Sequence, residues 1–325
     1  MRFFLKLVFR VFLLLFVGFC VFYFWASSSN FNSKEYAIIK KSNRNYPVQK
    51  DTTFSIVTYN IGYLSGMTNN RPIAKPSSLF KNNLQKVNQE FLNVNPDVIA
   101  FQEIDYNASR SYNIDQEEAI AKLGYGFSAR AINWDKRYLP FPYWPIRMHF
   151  GKVISGQSIL SKYPLSNQKR IVLESVKSTP FYRNAFYLDR LAQVVKVNFK
   201  GKEAILINVH LEAFDQKTRE IQFKEVLEVF HTYKNNYPTI LLGDFNSEAK
   251  DKEAAIQKLF SMDGVGNAAF NVSEIKNTFN SVAPSKRIDY IFYTKNTIEL
   301  ISGRILSEFE QASDHLPVFM KFRFK

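Results

Sequence analysis

Apolar positions are distributed in two distinct ways along the chain. Residues 11–26 form an uninterrupted apolar run, and Arg2, Lys6 and Arg10 precede it. From residue 51 onward, apolar residues instead alternate with polar ones or recur every three to four positions. Alternation is typical of a strand with one buried face, and the longer spacing is typical of an amphipathic helix. The pattern therefore predicts a targeting or anchoring segment followed by a folded part.

The apolar run predicts a membrane anchor over residues 1–28. About 20 apolar residues cross a bilayer, and the run reaches that length when Lys6 and Arg10 extend back to the headgroups. Its aromatic end, 22–25, resembles the aromatic belt found at membrane interfaces. The alternative is a secretory signal that is removed after Ser28. Because the basic residues nearest the run lie on its amino-terminal side, we expect the rest of the chain to be extracytoplasmic.

The segment that follows the run is rich in Ser, Asn and Lys. Such a composition predicts a polar linker over 29–50, and the folded domain then covers 51–325.

Two stretches of the folded part repeat one order of elements. Each has a β-rich strand, a helix with apolar residues on one face, a stop that contains proline, and a second strand. The predicted elements are 54–59, 78–93 and 98–101 in the first copy, and 204–209, 217–233 and 239–242 in the second. The apolar helix faces are Phe80, Leu84, Val87, Phe91 and Leu92, and then Phe223, Leu227 and Phe230.

Further strands are predicted between and after these copies. Residues 191–199 alternate and join 204–209 through Lys200 and Gly201, which is a hairpin signal. The last third adds 287–293, 297–305 and 316–322. Mixed strands with helices in corresponding places predict an α/β fold of two packed, mixed β-sheets flanked by helices, within a single domain.

Composition narrows the classes of protein that the chain can belong to. Of its 325 residues, 46% are hydrophobic and 22% charged, which disfavours a disordered or multi-pass membrane protein. The single cysteine, Cys20, lies in the apolar run, so an intramolecular disulfide and a cysteine-based zinc site are excluded. The net charge is +14, and +11 remains without the three basic residues of the anchor. This excess suits a phosphate-bearing substrate, an anionic surface or merely a solvated, lysine-rich surface.

Polar side chains follow the predicted strands, at positions where α/β proteins place their sites. Taken singly, each of them is more often a helix cap or a surface charge. Together they supply carboxylate, amide and imidazole groups, an oxygen-rich set that suits Mg²⁺ or Mn²⁺. The residues are Asn60, Glu103, His210, Asp244, Asn246, Asp289, Asp314 and His315.

The motifs around these residues resemble the endonuclease/exonuclease/phosphatase superfamily, which includes DNase I-like nucleases, sphingomyelinases and inositol phosphatases. In chain order they are TYNI (58–61), FQEI (101–104), GQSILSKYPL (156–165), NVHLE (208–212), GDFNSE (243–248), RIDYIF (287–292) and SDHLPV (313–318). The resemblance implies the four-layer, DNase I-like α/β sandwich. It also implies a Mg²⁺-dependent hydrolase of phosphate esters, with Mn²⁺ as a possible substitute, that uses in-line attack by water without a covalent intermediate.

The resemblance also assigns roles. Glu103, Asn60 and Asp314 would belong to the metal side. Asp244 would orient or deprotonate the attacking water, and Asn246 would donate to the phosphoryl oxygens. His315, polarised by Asp289, would contact the scissile phosphate, and His210 would bind a non-bridging oxygen.

The substrate stays open between a nucleic acid and a phospholipid head group. Residues 133–150 interleave aromatic and basic side chains, which suits base stacking, a lipid interface or a packed loop. Arg183 and Arg190 are further candidates for contact with substrate phosphate. The competing hypothesis is a non-catalytic, membrane-tethered binding protein. We expect a monomer without a protein partner.

Overall fold

The computed structural model describes residues 1–42, 52–271 and 273–325. Its strands are β1 (Ala37–Lys41), β2 (Phe54–Asn60), β3 (Val98–Asp105), β4 (Phe127–Leu139), β5 (Gly151–Ser161), β6 (Leu165–Val172), β7 (Leu191–Phe199), β8 (Lys202–His210), β9 (Thr239–Asp244), β10 (Val265–Asn267), β11 (Asp289–Thr294), β12 (Ile298–Ile305) and β13 (Val318–Phe324). The helices are α1 (Arg2–Ser27), α2 (Ser77–Val94), α3 (Gln116–Ala121), α4 (Phe181–Asn184), α5 (Gln216–Lys234) and α6 (Gln257–Phe260).

The strands form two mixed sheets. One has the order β1-β4-β5-β3-β2-β13-β12, and the other has the order β10-β11-β9-β8-β7-β6. Buried residues of both sheets share one core, including Ile56 and Met320 from the first and Leu206 and Leu242 from the second. The sheets therefore pack face to face, as the DNase I-like sandwich requires, and the predicted fold class is confirmed.

A helix covers the outer face of each sheet. Phe80 and Phe91 of α2 pack on the seven-stranded sheet, and Phe223 and Phe230 of α5 pack on the six-stranded sheet. Apolar residues at helical spacing thus produce the two outer layers, as the sequence predicts. Leu92 differs from the prediction, because its side chain is 54% exposed.

The two repeated units bring their strand ends to one rim. β2 and β3 pair in parallel, as do β8 and β9. An amide hydrogen bond of 2.9 Å from Asn60 Nδ2 to Asp244 Oδ2 joins the end of β2 to the end of β9. Polar residues that are distant in sequence therefore meet at a single edge of the sandwich.

Part of the predicted linker 29–50 lies on the domain. Ala37–Lys41 forms β1 and pairs antiparallel with β4. Asp135 of β4 also accepts hydrogen bonds from the backbone N–H groups of Asn30 and Phe31. The two isoleucines of β1, one of which packs against the core, provide too short an apolar pattern to reveal a strand. Residues 43–50 lie outside the described residues.

The segment 133–150 is also more ordered than its composition suggests. Its first half continues β4, and β4 pairs with β5. Leu139, Phe150 and Val153 form a small buried cluster with Trp134 and Phe141 against them. Trp134, Phe141 and Phe150 therefore serve packing, whereas Tyr143 and Trp144 are exposed.

α1 is long and apolar enough to cross a membrane, and a signal sequence would pass the same test of length and composition. Except for Ala26, its residues are not buried against the rest of the chain. The side of the membrane on which the domain lies stays a prediction.

Candidate active site

His315 and Asp289 form a buried pair. His315 Nδ1 lies 3.0 Å from Asp289 Oδ2, and the His315 backbone N–H donates to Ser313 Oγ, which in turn donates to the backbone oxygen of Asn60. Burial disfavours a charged imidazole, but the negative charge and hydrogen bond of Asp289 outweigh it and raise the pKa of His315 well above its ordinary value. The pair therefore favours the protonated form of the imidazole at the rim.

Asp244 ends β9 beside this pair. Its Oδ2 accepts from Asn60 Nδ2 and lies 3.9 Å from His315 Nε2. Its Oδ1 accepts from the backbone N–H of Asn246 at 2.9 Å. Burial, together with the negative charge of Asp289, raises the pKa of Asp244 to about 7. This carboxylate can therefore exchange a proton near neutral pH.

Asn246 takes part through its backbone in this geometry. It adopts a left-handed conformation with φ of 48°, which asparagine tolerates better than most residues. Its side-chain Nδ2 donates to the backbone oxygen of Leu211 at 3.0 Å. The amide that is expected from the motifs to face substrate is thus engaged with the backbone.

His210 ends β8, and its nearest charged neighbour is a cation. Arg190 Nη1 donates to His210 Nε2 at 2.6 Å, and Arg190 Nε donates to Glu212 Oε2 at 3.3 Å. Burial and the positive charge of Arg190 lower the pKa of His210 well below its ordinary value. His210 Nδ1, which carries the hydrogen when Nε2 accepts, has no partner among the described residues. Nδ1 is buried, whereas Nε2 faces the site, 3.6 Å from Glu103 Oε1 and from Asp244 Oδ2.

Glu103 and Asp314 face each other across Asn69. Asn69 Nδ2 lies 2.9 Å from Glu103 Oε2 and 3.4 Å from both Asp314 carboxylate oxygens. Burial and the charge of Asp314 raise the pKa of Glu103. Gly62 forms one wall, since a Cβ there would lie 2.8 Å from Asp314 Oδ1. The absence of a side chain at this position keeps the carboxylate accessible.

This donor set fits a divalent metal ion. Two carboxylates that destabilise each other electrostatically form a favourable site for a hard cation, and both offer oxygen atoms. Asn60 Oδ1 accepts from the Gly62 backbone N–H at 3.1 Å, which directs the amide oxygen toward the same wall. A second group, Asp244, Asp289 and His315, has ligand atoms that all lie within 4.8 Å of one another and could also hold an ion.

Comparison with known proteins decides the family. The family model described as Endonuclease/Exonuclease/phosphatase family matches residues 57–315. The chain belongs to this family. Family members hydrolyse phosphate esters. The candidate site residues, of which Asn60 is the first and His315 the last in the chain, all lie within the matched range. The resemblance stated from the motifs is confirmed.

Solved structures agree with this fold. An endonuclease/exonuclease/phosphatase from Beutenbergia cavernae DSM 12333 has a TM-score of 0.59 and 18% identity, with 84% of this chain and 72% of that chain covered. The human Nocturnin catalytic domain with bound sulfate has a TM-score of 0.57 and 18% identity, covering 91% and 100%. TDP2 from D. rerio, humanized by 14 mutations, has a TM-score of 0.59 and 16% identity, covering 84% and 100%. No curated protein sequence matches the chain.

The two candidate arginines of this family member occupy different places. Arg190 is buried against His210. Arg183 lies on α4, exposed on the wall of the cleft that contains the site. Only Arg190 therefore joins the central group.

Several residues at the site were not among the residues predicted from the sequence. Asn69 lies in the loop after β2, where no periodicity marks it. Glu212 lies within the NVHLE motif, and its carboxylate accepts from the hydroxyl of Tyr187 as well as from Arg190. Phe279 packs on His315, with ring centroids 5.0 Å apart. These contacts depend on loops whose course the strand pattern does not define.

Proposed function

We propose that the protein is a Mg²⁺-dependent phosphodiesterase, attached to a membrane by α1, that hydrolyses its substrate by in-line attack of water. One observation carries this proposal. The buried carboxylate of Asp244 lies 3.9 Å from the imidazole of His315, which lies 3.0 Å from the carboxylate of Asp289. Burial raises the pKa of Asp244 to about 7, and Asp289 raises the pKa of His315. A proton acceptor and a proton donor thus lie beside the Glu103–Asp314 oxygen cluster.

Asp244 and His315 have complementary roles in this mechanism. Asp244 accepts a proton from water as the water oxygen bonds to phosphorus. His315 donates its proton or a hydrogen bond to the ester oxygen as the phosphorus–oxygen bond breaks. The products are a phosphomonoester and an alcohol, and Asp289 stabilises the charged imidazole until its proton passes to the leaving oxygen.

Glu103 and Asp314, with the amide of Asn60, are the proposed ligands of Mg²⁺, for which Mn²⁺ is a chemically similar substitute. The ion supplies positive charge that neutralises the phosphate. Asn69 orients both carboxylates through Nδ2.

His210 and Arg190 form the proposed binding site for a non-bridging phosphate oxygen. His210 Nε2 faces the catalytic groups, 3.6 Å from Glu103 Oε1 and from Asp244 Oδ2, and the buried charge of Arg190 favours an anion nearby. Asn246 acts mainly by holding Asp244 through its backbone N–H. Arg183 is the proposed contact for the outer part of the substrate.

The proposed function is tested on the full chain in detergent with bis(p-nitrophenyl) phosphate. We expect hydrolysis with Mg²⁺ and none after chelation. Glu103→Gln should reduce the rate at least about 100-fold, as expected when a metal-held charge is lost. Glu228→Gln, on the exposed face of α5, is the matched control and should retain the rate.

The opposite result would favour the non-catalytic binding hypothesis. A folded chain that is stabilised by Mg²⁺ but hydrolyses no phosphate ester would contradict the enzyme proposal. Equal rates for Glu103→Gln and Glu228→Gln would contradict the assigned metal ligands.

We also propose that α1 is retained rather than cleaved. The Ser28 backbone oxygen accepts from the Arg137 N–H at 2.9 Å, so the alternative cleavage position lies in a segment bonded to β4. Mass determination of the mature protein from membranes tests this. A mature chain that begins after Ser28 and is found in the medium would support secretion instead.

A further inference from the structure

The cleft that contains the proposed catalytic groups extends to the end of α1. Its volume is about 1510 Å³. Glu103, Asp244 and His315 line one part of it, and Phe19 and Tyr23 of α1 line another part. The site and the end of the apolar helix therefore share one continuous space.

Contacts with β4 hold the end of α1 against the domain. The Arg137 backbone N–H donates to the oxygen of Ser28 at 2.9 Å, and Lys136 Nζ donates to the oxygen of Ser27 at 3.2 Å. The ring of Tyr138 contacts Phe22 and Trp25, with centroids 5.8 and 6.4 Å apart. Because α1 is joined directly to the domain, a bilayer around α1 would bring its surface to the mouth of the cleft.

Apolar side chains connect the two parts of the cleft. Phe186 contacts Tyr23 of α1 with ring centroids 5.6 Å apart, and it also packs on the cluster formed by Leu139 and Phe150. The backbone oxygen of Phe186 accepts from Trp134 Nε1 at 2.9 Å. We call this surface, residues 134–150 together with 181–188, the aromatic wall.

Two phenylalanines on the rim of the cleft are exposed to solvent. Phe181 is 80% exposed and Phe214 is 86% exposed, and both line the cleft. Exposed apolar side chains at a cleft are typical of a surface that contacts a lipid or an apolar ligand. Arg183 lies two residues from Phe181, and such pairing of basic and aromatic residues suits an anionic membrane interface.

We propose that the substrate is a membrane phospholipid, a phosphodiester with long apolar chains, taken from the bilayer in which α1 lies. Its chains lie along the aromatic wall, and its phosphate reaches Asp244 and His315. This inference rests on the proposed function and names its substrate class. Water adds to phosphorus, one ester bond breaks, and a phosphomonoester and an alcohol leave.

Nucleic acid fits the cleft less well. Binding of a polynucleotide needs cations along the path of its phosphates. Basic residues line other parts of the cleft, namely Arg183, Arg190, Arg219 and Lys286. The α1 residues that line it are Phe19, Cys20, Phe22, Tyr23 and Phe24, and none of them is basic. A polyanion would have to pass an apolar helix end, whereas acyl chains would be favourably buried there.

The test compares chain lengths with the full chain reconstituted in vesicles of phosphatidylglycerol and phosphatidylcholine. New phosphomonoester is measured by ³¹P NMR for dipalmitoyl lipids and for soluble dihexanoyl analogues, with plasmid DNA as a competitor. We expect hydrolysis that prefers the long-chain lipids and is not inhibited by DNA. The double variant Phe181→Ser/Phe214→Ser should reduce the long-chain to short-chain ratio of kcat/KM about tenfold, which corresponds to about 1.4 kcal/mol.

Leu92→Ser/Ile301→Ser is the matched control, because both residues are exposed and lie outside the cleft. It should keep the native ratio. Hydrolysis of soluble diesters without a preference for long chains, or cleavage of DNA in preference to lipid, would overturn this inference while the phosphodiesterase proposal stands. Failure to hydrolyse any diester would overturn both.

Discussion

Two buried histidines at the rim have nearest neighbours of opposite charge. His315 precedes β13 of the seven-stranded sheet and lies 3.0 Å from the carboxylate of Asp289. His210 ends β8 of the six-stranded sheet and lies 2.6 Å from the guanidinium of Arg190. Burial acts in the same direction on both, so the sign of the nearest charge decides the difference in pKa. The site thus combines a protonated imidazole with a neutral one.

The largest expected effect is the fall in kcat when the His315 imidazole is removed. His315→Ala should lower kcat about 1000-fold, within the range that proton transfer contributes, while the circular dichroism spectrum stays native. His231→Ala, an exposed histidine of α5, serves as the matched control. Near-normal turnover of His315→Ala would remove His315 from the mechanism.

Removal of the cation beside His210 should mainly affect stability. Arg190→Gln leaves the buried Glu212 carboxylate without its ionic partner, which typically costs about 3–5 kcal/mol. Arg190→Gln/Glu212→Gln should recover much of this loss. Arg323→Gln, which breaks a solvent-exposed pair with Glu299, should cause a much smaller loss in the same thermal unfolding experiment. Equal losses for both arginines would contradict this view of the buried pair.

Neutralising the anion beside His315 should change the pH profile. Asp289→Asn removes a charge-assisted hydrogen bond of about 1.5–3 kcal/mol, or roughly 10- to 100-fold in rate. The pKa of His315 falls, so the alkaline limit of activity should move to lower pH. Asp263→Asn, in an exposed turn, is the control. An unchanged alkaline limit would show that another group controls it.

The smallest effect is the pH dependence of stability in chelator. His315, with its raised pKa, contributes stability that is fully present below about pH 6.5 and is lost as the pH rises through its folded pKa. His210 lowers stability as the pH falls below about 6.5, because the unfolded chain takes up the proton more readily.

Each glutamine variant should therefore follow its own trend in thermal unfolding. Relative to the native chain, His315→Gln should lose the most stability at low pH. His210→Gln should lose the least stability at low pH. Where the pKa of a histidine in the folded chain differs by one from its value in the unfolded chain, the free energy of unfolding changes by about 1.4 kcal/mol. Parallel trends for the two variants would contradict the inference that the pKa values of the two histidines are shifted in opposite directions.

The strands and helices of the two repeated units could be predicted because each buries a regular apolar face. β2, α2, β8, α5 and β9 agree with the predicted elements to within a few residues. β1, β4, β5, β6 and β10 were not predicted. In β4, charged residues that pair within the fold interrupt the apolar pattern, as Arg130 does with Asp115 and Glu117.

The candidate site also combines residues that the sequence predicts with residues that it does not. Motif order identifies the residues at strand ends, whereas Asn69 and Glu212 become visible as partners only through contacts of 2.9 Å with Glu103 and 3.3 Å with Arg190. Arg183 and Arg190 look equivalent in the sequence, yet one is exposed on the cleft wall and the other is buried at His210.

The sequence by itself determined the family, the two-sheet fold and the set of polar residues at the strand ends, because periodicity and ordered motifs are local properties of the chain. Only the tertiary structure decided which histidine faces a cation and which an anion. It also decided that the end of α1 lines the same cleft as Asp244. Both facts depend on distances between residues far apart in sequence, and electrostatic interaction and burial depend on those distances rather than on chain order.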